Sequence, residues 1–226
     1  MAEQMPFDLE IELAPNPEPR CPCVLLLDVS RSMAGSRISL LNEGLQAYRD
    51  ELNADSLASQ RVEVAVVTFG GDVETVCPFV TASLFQPPTL KVHGDTPMGR
   101  AVTQGVEMLG QRKQFYKDQG LHYFRPWIFL ITDGGPTDEW KSAAELVRKG
   151  EEAKSFAFFA VGVEGANFDV LKQISLRPPL ALRELRFRDL FVWLSQSQRQ
   201  VSVANPGEEE RITFVNPTGP GGWASL

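Results

Sequence analysis

Cys23-Val24-Leu25-Leu26-Leu27-Asp28-Val29-Ser30-Arg31-Ser32 is an apolar run that stops at a carboxylate, and its reading decides the fold. A short continuous run without polar alternation is the pattern of a strand buried on both faces, and such strands belong to parallel sheets. The residues beyond the polar loop repeat at helical spacing, with Ile38, Leu41, Leu45, Tyr48 and Leu52 on one stripe. A buried strand, a short polar loop and an amphipathic helix together make the unit of an α/β fold.

The same order recurs downstream. Trp127 to Ile131 is apolar and leads through Thr132-Asp133-Gly134-Gly135-Pro136 to Thr137, a suitable N-cap for a helix carrying Trp140, Ala144 and Val147. Phe156 to Val163 reads as another buried strand, Phe168 to Ile174 as a short helix, Leu180 to Leu185 as an edge strand, and Asp189 to about Ser202 as the last helix. Between the first helix and Trp127, Val62 to Phe69 and Val73 to Phe79 flank Gly70-Gly71-Asp72, which predicts an antiparallel hairpin. Met98, Ala101, Val102, Gly105, Val106 and Leu109 form a further helical stripe; Pro97 suits its first position, and Thr96 falls at or near its N-cap. The expected fold class is α/β: a doubly wound, mostly parallel sheet with one antiparallel hairpin, in three layers α/β/α.

Residues 1–22 read as a lead-in. Phe7, Leu9, Ile11 and Leu13 alternate with Asp8, Glu10 and Glu12 as a half-buried strand, and Pro15 to Pro22 separates them from the main sheet. Residues 23–202 form the domain. Residues 203–226 turn to Asn, Pro, Gly and Glu and read as a tail, with Arg211 to Val215 its one β-like patch.

Composition excludes several functions. A chain of 226 residues that is 43% hydrophobic is long enough for one large core. A net charge of −7 with scattered Lys and Arg disfavours nucleic acid and anionic membrane as partners. There is no run of about eighteen apolar residues, and the first residues, with Glu3 and Asp8, lack a signal-peptide core, so the expected location is the cytoplasm. There Cys21, Cys23 and Cys77 are expected as free thiols, and Cys21-Pro22-Cys23 is too short for a zinc site.

In an open α/β sheet, the loops leaving the carboxyl ends of neighbouring strands share one crevice. Asp28, Ser30 and Ser32, then Thr96 in Gly94-Asp95-Thr96-Pro97, then Asp133 in Thr132-Asp133-Gly134-Gly135 are thereby candidates for one metal site. Each segment alone has an ordinary reading: a strand-to-helix turn, an N-cap and a tight turn. Together they offer hydroxyls as direct ligands and carboxylates that hold waters or bind directly, which is compatible with Mg²⁺, or with Mn²⁺ or Ca²⁺. A cation ringed mainly by neutral oxygen stays electrophilic, so an incoming Asp or Glu carboxylate gains much there. No general base stands out near these segments, so an enzyme is not expected. Asp95, Asp138 and Glu139 read as helix-start acids, Asp72 as a hairpin residue, and His93 and His122 as loop residues.

D-x-S-x-S after the first strand, a Thr on a loop before a helix, and T-D-G after a later strand resemble the metal-ion-dependent adhesion site of von Willebrand factor type A domains. The likeness runs from about Cys23 to Ser202 and implies a Rossmann-like sheet. It also implies that Ser30, Ser32 and Thr96 are direct ligands, with Asp28 and Asp133 acting largely through water. Phe85-Gln86-Pro87-Pro88, Gly94 to Gly99, Arg125-Pro126-Trp127 and Thr132 to Trp140 are similar to the bacterial tellurium-resistance-associated group of that family. That resemblance implies a cytosolic scaffold in a stress-response or phosphorylation-linked system, beside a kinase or a phosphatase; a monomer is expected. Arg31 stands where the family commonly has Gly. The competing reading is a Mg²⁺-dependent phosphohydrolase of the haloacid-dehalogenase kind with Asp28 as nucleophile, although Ser30 replaces its usual second Asp. A nucleotide-binding Rossmann protein is weaker, because neither G-x-G-x-x-G after the first strand nor G-x-x-x-x-G-K-[ST] is present.

Overall fold

The computed structural model describes residues 16–207 and 212–226. The expected strand Phe7 to Leu13, and Arg211 of the tail patch, lie outside them.

A seven-stranded sheet runs in the order β3-β2-β1-β4-β5-β6-β7, built from β1 (Cys21–Asp28), β2 (Val62–Gly70), β3 (Asp72–Thr81), β4 (Trp127–Thr132), β5 (Ala157–Gly162), β6 (Leu180–Leu182) and β7 (Ala224–Ser225). β1 pairs in parallel with β2 and β4, β4 with β5, and β5 with β6. β3 folds back on β2 as the expected hairpin, with Gly71 at its tip. Strand interiors follow the buried-strand reading: every residue of β1, β2 and β4 is buried.

The helices are α1 (Ser36–Asn53), α2 (Ala58–Arg61), α3 (Met98–Asp118), α4 (Lys141–Glu152), α5 (Phe168–Ile174) and α6 (Phe187–Ser202). Alternate residues of β1 face opposite layers, as the two-residue strand period requires. Leu25 and Leu27 pack with Leu41, Leu45 and Tyr48 of α1 and Phe187, Leu190 and Phe191 of α6. Val24 and Leu26 pack with Met98, Ala101 and Val102 of α3, Val147 of α4 and Leu171 of α5. The layers are therefore α/β/α.

The expected boundaries shift in instructive places. Thr137 does not cap α4, which starts one turn later; the Glu139 carboxylate accepts the Lys141 N–H at 2.7 Å instead. Pro97 sits one residue before α3, and the missing N-cap comes from another loop: Asp138 accepts the Gly99 and Arg100 N–H groups at 2.9 and 2.8 Å. Asp138 thus serves a helix dipole, but that of α3 rather than of the helix following it. β6 ends at Leu182, because Glu184 and Leu185 take positive φ of 49° and 55° and leave the extended conformation.

β6 is also not the edge. Ala181 and Leu182 pair antiparallel with Ser225 and Ala224, so a second, very short antiparallel pair closes this side of the sheet. The described part of the tail is anchored by aromatic contacts. Trp223 is buried with its ring 5.6 Å from that of Trp193, Phe214 meets Trp127 edge-on at 5.5 Å, and the Trp193 indole donates to Val215 O at 2.7 Å.

Cys21, Cys23 and Cys77 are buried. Burial pushes the Cys23 thiol up to about 12, so at neutral pH it is an inert apolar filler rather than a nucleophile. No helix among the described residues is long and apolar enough to cross a membrane.

Candidate functional site

The sheet order reverses at β1. Its neighbour β2 follows on one side and β4 on the other, while α1 packs on the face bearing Leu25 and α3 on the face bearing Leu26. A crevice at the carboxyl ends of β1 and β4 follows from that reversal. All five candidate residues lie around it.

Backbone hydrogen bonds draw the loops together. The Thr96 loop is tied to the β1 loop by His93 N–H to Val29 O at 2.8 Å and Arg31 N–H to Gly94 O at 3.2 Å, and to the hairpin by Gly71 N–H to Asp95 O at 2.7 Å. Thr137 N–H donates to Thr96 O at 2.9 Å, joining the same loop to the segment after β4. This closeness requires glycine at Gly94: φ is +58°, and a Cβ there would lie 2.3 Å from the Gly71 Cα. Gly94→Ala is therefore expected to cost about 1–3 kcal/mol. A urea midpoint no lower than that of the unsubstituted protein would contradict this packing.

Within the crevice the oxygens form a chain. Asp28 is fully buried; its Oδ1 accepts the Ser30 N–H at 2.8 Å and its Oδ2 the Thr132 hydroxyl at 2.5 Å. Ser30 Oγ lies 3.0 Å from Ser32 Oγ, and Ser32 Oγ donates to Asp133 Oδ1 at 2.6 Å. Thr96 is buried, and a Cβ built on Gly134 would lie 3.6 Å from its hydroxyl oxygen, which places that oxygen over the backbone beside Asp133. Ser30 and Asp133 are also buried while Ser32 is exposed, so the cluster opens to solvent on the Ser32 side.

Burial pushes the Asp28 carboxyl above its usual range, hydrogen bonds from Ser30 and Thr132 oppose that rise, and the charge of Asp133 adds to it. Two acids at the bottom of one crevice, with hydroxyls between them, are a concentration of negative charge that the protein alone does not fully neutralise.

Two residues had no role of their own in the sequence reading. Thr132 fixes the Asp28 carboxylate, a task implied by a hydroxyl at the end of a strand adjacent to β1. Arg37 places Nη1 2.6 Å from Asp133 Oδ2 and 3.0 Å from Ser32 O, forming an ion pair with an acid 96 positions away that local sequence does not signal. Arg31, the cation next to the loop serines, is exposed. His93 is exposed with Nδ1 near Lys91 O at 3.3 Å, and His122 contributes its carbonyl to Arg20 N–H at 2.9 Å; neither ring joins the cluster.

Every donor in the crevice is a hard oxygen. Among the described residues, no group of three or more His, Cys, Asp and Glu is placed to hold a metal, so any cation here depends on the hydroxyls. Oxygen-only donors suit Mg²⁺, Mn²⁺ or Ca²⁺ by hardness.

The fold is shared with solved structures of low sequence identity. The pilus adhesin SpaC of Lactobacillus rhamnosus GG superposes with a TM-score of 0.64 at 14% identity, over 83% of this chain and 31% of the adhesin. The ArnB paralog VWA2 of Sulfolobus acidocaldarius gives 0.53 at 18% identity, over 79% and 45%. Proximal thread matrix protein 1 of the mussel byssus, in a structure with a zinc-occupied MIDAS motif, gives 0.55 at 16% identity, over 81% and 49%. This chain thus spans less than half the length of each of these structures. No curated protein sequence matches it. The family model of the von Willebrand factor type A domain matches residues 23–191, from the first buried strand to the second turn of α6. Domains of this family commonly mediate metal-dependent protein interactions, and the chain belongs to the von Willebrand factor type A domain family.

Proposed function

We propose that this chain is a metal-dependent protein-recognition module. Ser30, Ser32 and Thr96 would supply hydroxyl ligands to a divalent cation, Mg²⁺ by choice of donor, with Asp28 and Asp133 balancing its charge largely through water. When bound, the cation supplies a Lewis-acid position that an Asp or Glu carboxylate of a partner protein completes. The observation that carries this reading is the continuous run of oxygens from Ser30 through Ser32 to Asp133, at 3.0 and 2.6 Å, in a crevice open to solvent at Ser32. The zinc-occupied MIDAS motif of the mussel byssus protein supports it by likeness of fold. The similarity of the Gly94–Gly99 and Thr132–Trp140 segments to the tellurium-resistance-associated group supports a role as a cytoplasmic scaffold in a bacterial stress-response system, with a kinase or phosphatase as the partner.

The phosphohydrolase reading is disfavoured by geometry. Asp28 has no exposed surface and each of its oxygens is already held by a hydrogen bond, so its carboxylate is not presented to a substrate phosphorus for in-line attack. The test is affinity capture with the purified chain, with and without EDTA. A partner retained only with Mg²⁺, and displaced by free acetate at high concentration, is the expected result. Retention unchanged by chelation would overturn the proposal.

A further inference from the structure

Arg37 is the second residue of α1, an eighteen-residue helix whose first turn holds no acid and whose N-cap is glycine with no side-chain bond. A cation at a helix N-terminus is opposed by the helix dipole, so local helix chemistry does not ask for one there. The compensating charge is Asp133. Arg37 Nη1 lies 2.6 Å from Asp133 Oδ2, the oxygen not engaged by Ser32, and 3.0 Å from Ser32 O. The Asp133 side chain is fully shielded from solvent and that of Arg37 is 26% exposed, so this pair is better shielded than a surface pair. The guanidinium thus sits against one of the two acids whose charge a divalent ion would need. With Asp28 and Asp133 counted as two negative charges, Arg37 leaves the crevice a net charge of only about −1.

We propose that Arg37 is a built-in rival of the metal: its guanidinium neutralises Asp133 in the ion-free protein and holds the affinity for a divalent cation below what the three hydroxyls and two carboxylates alone would give. The effect follows from charge whether the guanidinium stays beside Asp133 or leaves, because retention sets two cations on one carboxylate and departure breaks a charge-assisted bond. Arg37 thereby sets how much metal is needed before the site loads, and it favours loading together with an outside carboxylate, which restores neutrality. This inference rests on the metal-site reading above.

Calorimetric titration of the full chain with MnCl₂ tests it, with Arg37→Gln, Arg37→Met, Arg37→Lys and Arg31→Gln beside the unsubstituted protein. Arg37→Gln and Arg37→Met are expected to bind Mn²⁺ about tenfold more tightly, the value of one charge-assisted hydrogen bond. Arg37→Lys, which keeps the charge, is expected close to the unsubstituted protein. Arg31→Gln removes an equal net charge from the exposed loop, where water screens it and no ion pair with Asp133 is lost, and is expected to strengthen binding by a clearly smaller factor than Arg37→Gln. Two neutral variants guard against one that folds poorly. If the unsubstituted chain binds Mn²⁺ and the neutral variants bind it equally or more weakly, Arg37 positions Asp133 rather than competing with the ion, and this inference falls while the metal site stands. If neither the unsubstituted chain nor any variant binds Mn²⁺, both fall.

Discussion

Glu63→Ala is expected to destabilise the domain by about 3–5 kcal/mol, which is a large share of the stability of an ordinary domain. Glu63 lies near the start of β2, at the end of the sheet opposite the crevice, and is fully buried. It faces two guanidiniums. Arg112 Nε lies 2.8 Å from Oε2 and Arg20 Nε 3.1 Å from Oε1, with exposures of 5% and 0%. The Tyr116 hydroxyl donates to Oε2, and burial followed by the charge of Glu63 raises that phenol well above its usual pKa, so it stays a donor. Phe79, Phe115 and Tyr116 hold the Arg112 guanidinium at 5.3–5.4 Å from their ring centroids. Removing the carboxylate leaves two buried cations without an anion, which costs far more than the pair contributes when intact. The urea midpoint should fall sharply, while Mn²⁺ affinity measured on the remaining folded protein should be unchanged, because the crevice lies at the other end of the strands. A midpoint within about 1 kcal/mol of the unsubstituted protein would show that the cluster is solvated and that this end of the sheet is not held by charge.

Ser32→Ala is expected to weaken divalent-ion binding by at least about 100-fold and to abolish partner capture, with little change in ion-free stability. Ser32 is exposed, yet its hydroxyl is the link between Ser30 and Asp133, so the loss falls on the site rather than on the core. Asp28→Asn should likewise abolish metal binding, without destabilising the ion-free protein. The sign follows from its titration. A native acid whose pKa is raised above its unfolded value holds its proton more tightly when folded; its contribution is present at low pH and is lost as pH rises from the ordinary carboxylate range through the raised value. Ionising the buried Asp28 is therefore a cost that grows as pH rises, and the neutral amide, still able to accept from Ser30 N–H, should make the chelated protein no less stable than the unsubstituted one. Thermal unfolding in EDTA at pH 7 reads this directly. A marked loss of stability in Asp28→Asn would mean that the carboxylate is structural, held for its hydrogen bonds rather than its charge.

The contrast between these two clusters shows what local sequence discloses. The strands β1, β2, β4 and β5 were legible because burial on both faces leaves an unbroken apolar run, and the helices because one face repeats at 3.6 residues. The crevice was legible because Asp28, Thr96 and Asp133 each sit where a strand or loop ends, and strand ends in such a sheet converge by topology. What stayed hidden was every pairing that depends on tertiary geometry. Glu63 inside Val62-Glu63-Val64-Ala65-Val66 was the available signal of a buried ion cluster, but its partners come from a segment before β1 and from the middle of α3. Arg37 carries no local signal of its role, because its partner Asp133 lies 96 positions away. Asp138 was legible as a helix-start acid and misassigned to its own helix, because the N-terminus it caps is 38 and 39 residues back along the chain. The tail's Trp223 and Phe214 do carry a signal: large aromatic rings in a Pro- and Gly-rich stretch argue for docking, and both rings pack on the domain.

Convergence of three alcohols and two acids on one divalent ion is the claim on which the functional reading stands. The direct measurement is the anomalous difference density of a crystal grown in millimolar MnCl₂ with data collected near the manganese edge. The account predicts a single strong peak within about 2.3 Å of the Ser30, Ser32 and Thr96 hydroxyl oxygens, with Asp28 and Asp133 in contact directly or through one water. A fully formed crevice without a peak, or a peak bound elsewhere while these five side chains keep only one another as partners, would contradict it.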